Sequence, residues 1–271
     1  MVEVDWARLK AHELRALATA GAAVILPIAA IEQHGPHLPV MTDTCLGTEI
    51  AHRAARIAYP TRPVVVTPPV WSGLSEHHMA FGGTLSISHA TFRALLSDLI
   101  ACLVRLGFRD VLIANSHGGN ILAMKGLVEE LSATTPATLV AMSYPDEAGP
   151  EFNAVLEGQE TIQHACEAET SMMLAVVPDL VDRTDLPGLR NARPRDMYAT
   201  GRGSYRWRPI HQTSGNGING DPTLSSPEKG ERLLTLAAEG MAALVTDPTT
   251  WAVREDLRGL DTGGVPFAPG T

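Results

Sequence analysis

At 271 residues the chain can bury a sizeable core, and its 45% hydrophobic and 19% charged residues are those of an ordinary globular enzyme. A net charge of −9 and only 5% aromatics exclude a phosphate-tracking or base-stacking surface, so nucleic acid is not an expected partner. Cys45, Cys102 and Cys166 are an odd set without CxxC spacing, which is no disulfide framework and points to the cytoplasm.

Residues 6–19 place Trp6, Leu9, Leu14 and Leu17 at helical spacing, predicting an amphipathic helix that ends near Gly21. The apolar stretch 18–31 runs straight into Glu32-Gln33-His34, so it reads as a buried strand over 22–28 rather than a leader. No stretch has the length and purity of a membrane span. Thr42 or Asp43 is placed to cap a helix to about Ala58. Val64-Val65-Val66 is a second buried strand, followed by a Gly-, Ser- and His-rich loop and an alternating segment over 84–88. A helix over 90–107, a strand over 109–115, a helix over 120–132 and a strand over 137–143 come next, with further helices over 161–177 and 226–246. The stretch 185–222, rich in Gly, Pro, Arg and Asn, reads as an ordered functional loop or a subunit contact, with a mobile segment as the alternative.

Strands alternating with helices in this way predict an α/β fold with a central, mostly parallel sheet flanked by helices, taken as a single domain over 1–271. The clusters Glu32-Gln33-His34, Ser75-Glu76-His77-His78 and Asn115-Ser116-His117 each follow a predicted strand. Ligands of open parallel sheets bind outside the carboxyl ends of the strands, so these clusters should converge.

Glu32, His34 and Asp43 are ligand types suited to Zn²⁺, Mn²⁺ or Fe²⁺, and a metal pair needs a carboxylate able to bridge. Gly35-Pro36 supplies a turn that aims them at one place. Taken alone, Glu-x-His is more often solvated loop and Asp43 more often a helix cap. His117 sits between a strand and a helix. Gly118-Gly119 could cradle a phosphate there, but neither GxGxxG nor GxxxxGK[ST] is present, which favours the histidine as a ligand. His164 to Ser171 reads as the start of a helix, on which His164 and Glu167 share a face and Glu169 points elsewhere. The apolar run 171–177 buries that helix, so its charged groups need partners, of which a metal is one. Cys166 has only His164 as a basic neighbour and is a weak nucleophile candidate. His77 and His78, near Gly82-Gly83-Thr84, could reach a substrate or be chance histidines of a surface loop; Arg202, Arg206 and Arg208 could bind an anionic group or simply be solvated.

Assembled, these segments resemble the creatininase (creatinine amidohydrolase) family. The matching stretches are Leu26-Pro27, residues 32–39 with Thr42-Asp43-Thr44, residues 115–120 and residues 164–171, with weaker echoes at Gly82-Gly83-Thr84 and Gly220-Asp221-Pro222. The resemblance implies two divalent metals per subunit, zinc first with manganese or iron as alternatives, and a homohexamer. It places Glu32 and His117 on one metal, His34 on the other, and Asp43 between them. Creatininase itself has a carboxylate ligand where this chain has Gly119; Glu167 is the expected replacement, with Glu169 as the alternative. No counterpart of its tryptophan-lined pocket stands near residues 144–164, which argues against creatinine as substrate.

The expected activity is cleavage of a C–N bond (amide, cyclic amide or formamide) in a small polar molecule by a hydroxide shared between the metals. His164 would carry the proton to the leaving nitrogen, and His77, His78, Gly118 and Gly119 would line the substrate. Other members of the family look like formamidopyrimidine deformylases, a peptidase maturing the mycofactocin precursor, and hydrolases of cyclic ketones. A peptidase of that type, or a non-catalytic metal- or ligand-binding relative, are the rival readings.

Overall fold

The apolar runs form four parallel strands, β1 (Ala23–Ile28), β2 (Val64–Val66), β3 (Asp110–Asn115) and β4 (Thr138–Ser143), in the order β2-β1-β3-β4. The structure is a computed structural model and describes residues 2–184, 186–189, 204–253 and 257. The helices are α1 (Ala11–Thr19), α2 (Thr42–Ala58), α3 (His89–Arg105), α4 (Ile121–Ser132), the short α5 (Tyr144–Glu147) and α6 (Pro150–Ala154), then α7 (Glu167–Val176), α8 (Pro227–Thr246) and α9 (Pro248–Trp251).

Every residue of β1 and β2 is buried, because helices cover both faces of the sheet. Alternate side chains go to opposite faces. Ala23 and Ile25 join one core with Leu46 and Ile50 of α2, Met172 and Met173 of α7 and Leu233 of α8. Val24, Leu26 and Ile28 join the other with Phe92 and Leu96 of α3 and Met124 of α4, and Leu14 and Leu17 of α1 pack against it. Gly230 of α8 lies against the carbonyl of Ser171, where a Cβ would have no room, so α7 and α8 pack in backbone contact. That contact holds the first turn of α7 beside the sheet.

Pro27 stands inside β1, where a proline ordinarily removes a ladder hydrogen bond. The Ala23 N–H donates to Pro63, and the carbonyls of Ile25 and Pro27 accept from Thr67 and Val70. Residues 23, 25 and 27 therefore turn toward β2, which ends at Val66, and the missing N–H falls past that end.

Three expectations need correction. The first helix is a 3-10 turn over Trp6–Arg8, capped by Asp5, followed by α1 from Ala11. The segment 84–88 forms only an isolated antiparallel bridge from Leu85 to Ile31. The helix expected from 161 begins at Glu167, because Ala165 adopts φ 53°, a left-handed conformation that no right-handed helix continues through. Among the described residues no helix is long and apolar enough to cross a membrane.

Candidate metal centre

The carboxyl ends of the strands gather the polar clusters, as the parallel topology requires. Past β1 the chain turns back over Gly35 (φ 66°), and a bridge between His34 and Leu38 closes the turn. This leaves Glu32, at 1% exposure, and His34, at 0%, beneath the end of the sheet. The His34 Nδ1–H donates to the Glu32 carbonyl at 3.0 Å, so Nε2 presents its lone pair. That nitrogen faces Asp43 Oδ1 at 3.1 Å and Glu169 Oε2 at 3.9 Å. Asp43 is in the first turn of α2 and caps nothing, since the cap position is Met41.

His117 follows β3. Its backbone N–H donates to Asn115 Oδ1 at 3.2 Å, and its carbonyl accepts from Asn115 Nδ2 at 2.8 Å. Its Nε2–H donates to the Leu74 carbonyl at 3.2 Å. Nδ1 is thereby left facing Glu32 Oε2 at 3.2 Å and Asp43 Oδ2 at 3.1 Å. Glu32 Oε2 and Asp43 Oδ2 are buried without a hydrogen-bond partner. Acceptors meeting in this way repel one another unless a cation stands among them.

The protonation pattern carries the same message. Burial opposes a charged His34, yet Asp43, Glu169 and Glu32 hold its imidazole up to about 10. His117 is also raised well above the usual histidine range against its burial, by Glu32 and Asp43. Burial pushes Glu169 up to about 7, with His34 pulling the other way. Asp43 is held below the ordinary carboxylate range against its burial by His34 and His117. The pocket therefore demands positive charge, and in a protein free of ions protons on His34 and His117 supply it.

The imidazoles of His77, His78 and His164 are neutral. His78 Nδ1 accepts from Gln33 Nε2 at 2.7 Å, which leaves Nε2–H to donate to Glu32 Oε1 at 3.3 Å. His164 Nε2–H donates to the Gln33 carbonyl at 2.8 Å, and its Nδ1 faces Glu32 Oε1 at 3.5 Å. Burial first, then neighbouring histidines, hold His77 at about 3 and both His78 and His164 well below the histidine range. Burial pushes the Cys166 thiol up to about 12, so it is not a thiolate nucleophile.

Glu167 and Glu169 are not interchangeable. With Ala165 left-handed, the His164–Glu167 face of a regular helix does not exist. Glu169 turns into the centre, and its Oε2 also accepts from the Ala165 N–H. Glu167 turns away and binds Lys229 Nζ at 2.6 Å and the Gly158 N–H at 2.8 Å. Of the two carboxylates, Glu169, the alternative, is the one whose oxygen gathers with His34 and Asp43.

The cleft above these groups has a volume of about 280 Å³ and is walled by Tyr144, Pro145, Asp146, Ile162 and Gln163. His77, His78 and Gly118 line it, whereas Gly119 lies outside the lining, against Leu74, His77 and His117. No lysine or arginine lines it among the described residues. Arg206 is exposed, Arg208 is half-buried, and Arg202 lies outside the described residues. The supporting roles of Gln33, Asn115 and Asn120 went unassigned from sequence. Their signal was polar residues inside the same strand-end motifs; Asn120 accepts from the Leu74 N–H and donates to the Ala29 carbonyl.

Residues 7–245 match the sequence profile of the creatinine amidohydrolase (creatininase) family. The chain belongs to the creatininase family. Within it, the chain is 32% identical over 222 residues to the mycofactocin precursor peptide peptidase of Mycolicibacterium smegmatis, covering 81% of this chain and 82% of that one. It is 28% identical to the creatinine amidohydrolase of Pseudomonas putida, covering 90% and 95%. A crystal structure of creatininase superimposes with a TM-score of 0.72 at 27% identity, over 90% of this chain and 97% of that one. Solved creatininases include a manganese form and a mutant of Zn–Zn type. The creatininase-family α/β fold is thus the one expected, and the chain is a creatininase-family hydrolase.

Proposed function

We propose that this chain is a two-metal hydrolase that cleaves a C–N bond (amide, cyclic amide or formamide) in a small polar molecule. The observation that carries the proposal is the pair of ligand groups sharing Asp43: Glu32, Asp43 and His117 on one side, and His34, Asp43 and Glu169 on the other. The donor set fits. It combines imidazoles of fixed tautomer with carboxylates, and its two orphaned buried oxygens call for cations. Zinc is the first choice, with manganese or iron as alternatives.

Two bound ions would supply a nucleophile by lowering the pKa of water to about 7, and would polarise the substrate carbonyl. The chain's residues do the rest. Gln33 and His78 hold Glu32 in place, and Asn115 fixes the loop that carries His117. His164 reaches the cleft as a neutral imidazole, able to accept a proton at Nδ1 and return it to the departing nitrogen. Tyr144, Pro145 and Ile162 stand where a small ring or formyl group would pack, and the lack of cationic side chains among the described lining residues disfavours a phosphorylated substrate.

A second reading, hydrolysis of a peptide bond near a chain end, is supported by the 32% identity to the mycofactocin peptidase. Zinc-reconstituted protein assayed against cyclic amides, formamides and short peptides separates the two. Two metals per subunit with no turnover on any of them would instead favour a non-catalytic relative. The homo-oligomer implied by the family draws support from exposed Trp71, Leu95 and Leu106 around one apolar groove, and light scattering tests it.

A further inference from the structure

Glu32, Asp43 and His117 offer one half of the centre three ligands, and zinc ordinarily takes four. Gly119, two residues past His117, has no side chain to contribute. Nor could it carry one: a Cβ there would fall against the Leu74 carbonyl oxygen and His117 Nε2, well inside contact distance, and 2.9 Å from His77 Cε1. Leu74 is backbone and accepts from His117 itself, so neither can move without disturbing the other. The space beside residue 119 is thus taken up by the loop that carries His77.

The imidazole of His77 is built into the centre rather than draped over it. It is 3% exposed, stacks on His117 with centroids 5.6 Å apart and planes 16° apart, and leans on His78 at 4.2 Å. Glu32, His77 and His117 each present a donor atom, and all three atoms lie within 4.8 Å of one another. That is the spread of donors able to surround one ion after small side-chain rotations. A surface histidine would show neither the burial nor the convergence.

We propose that His77 is a metal ligand in this chain, completing the Glu32–His117 half of the centre from the loop between β2 and α3. This rests on the two-metal reading of the same site and adds to it a ligand of a different kind. An imidazole in that place leaves the Glu32–His117 half one charge unit more positive than a carboxylate there would, while Glu169 supplies the carboxylate of the His34 half. It also ties the cleft-lining segment His77–His78 to the metal, so that uptake of the ion fixes the cleft wall.

Two measurements on the full chain test the assignment. In crystals of the zinc-loaded wild type, anomalous scattering locates the ions; a His77 nitrogen at about 2.0–2.1 Å from one of them is the expected result. A nitrogen lying beyond normal ligand distance from both ions overturns the proposal. Chelator-competition titration with zinc then compares the wild type with His77→Ala. The variant should bind one of its two ions more weakly by more than about 100-fold, beyond the ~10–100-fold that outer contacts cost, and added imidazole should recover part of the loss. Unchanged affinities for both ions overturn the assignment while the two-metal reading stands. A wild type that takes up no pair of ions defeats the two-metal reading itself, so the two failures are distinct.

Discussion

Two buried carboxylates on the first turn of α7 meet opposite fates. Glu167 is matched within the chain by Lys229 and by backbone N–H groups of residues 157 and 158. Glu169, two residues on, faces a centre where Glu32, Asp43 and Glu169 outnumber the charge the protein can return. A buried charge that its own chain neutralises serves the fold. One left converging with others is held ready for a cation from outside. The difference is one of direction, set by the left-handed Ala165 ahead of the helix.

Substitutions can break this contrast. The largest effect is expected from His117→Ala, which removes a donor facing both Glu32 and Asp43. Activity should fall by more than the ~10–100-fold that outer-shell partners cost, and elemental analysis should show metal lost with it. His164→Ala comes next: turnover should drop by about 10²–10⁴-fold with metal content intact. If metal is lost as well, His164 is a ligand and not the proton carrier.

Glu167→Gln should lower unfolding free energy by about 2 kcal/mol in urea titrations and leave metal content alone, because Lys229 loses its buried partner and keeps only Glu157 and the Leu224 carbonyl. Glu169→Gln should do the reverse. Its carboxyl is raised to about 7, so the ionised form costs the metal-free fold stability as pH rises through that value. The metal-free variant should therefore match or exceed wild-type stability at pH 8 while binding metal more weakly. If the two glutamine variants behave alike, the contrast fails.

The smallest effect is in pH. The ion-free His34 is held up to about 10, so its stabilising contribution is complete below about 6.5 and is lost as pH rises toward 10. Metal needs the neutral ring. Binding at pH 7 should thus release protons, seen calorimetrically in buffers of different ionisation heat, and affinity should climb with pH over that window.

Much of this was legible in the residues. Val24 to Ile28 and Val64 to Val66 read as strands because a sheet covered on both faces needs unbroken apolar runs. Glu32, His34 and His117 were legible as candidates because they lie in segments that directly follow strands, and Asp43 because it opens the next helix. The choice between Glu167 and Glu169 was not, because helical periodicity assumes that the helix has begun, and a single left-handed alanine delays it. The histidine pair at 77 and 78 carried too little local pattern. Its place is fixed by contacts to Gln33 and His117, 45 and 40 residues away, which spacing along the chain does not encode.

The centre draws its groups from residues as far apart as Glu32 and Glu169, and only the folded chain brings them together. An ion captured there has no comparable home in the unfolded chain, so mass action makes the native state deeper as free ion rises, by about 2.7 kcal/mol at one hundred times the dissociation constant. The protein's lifetime against proteolysis thus becomes a readout of how much free metal surrounds it.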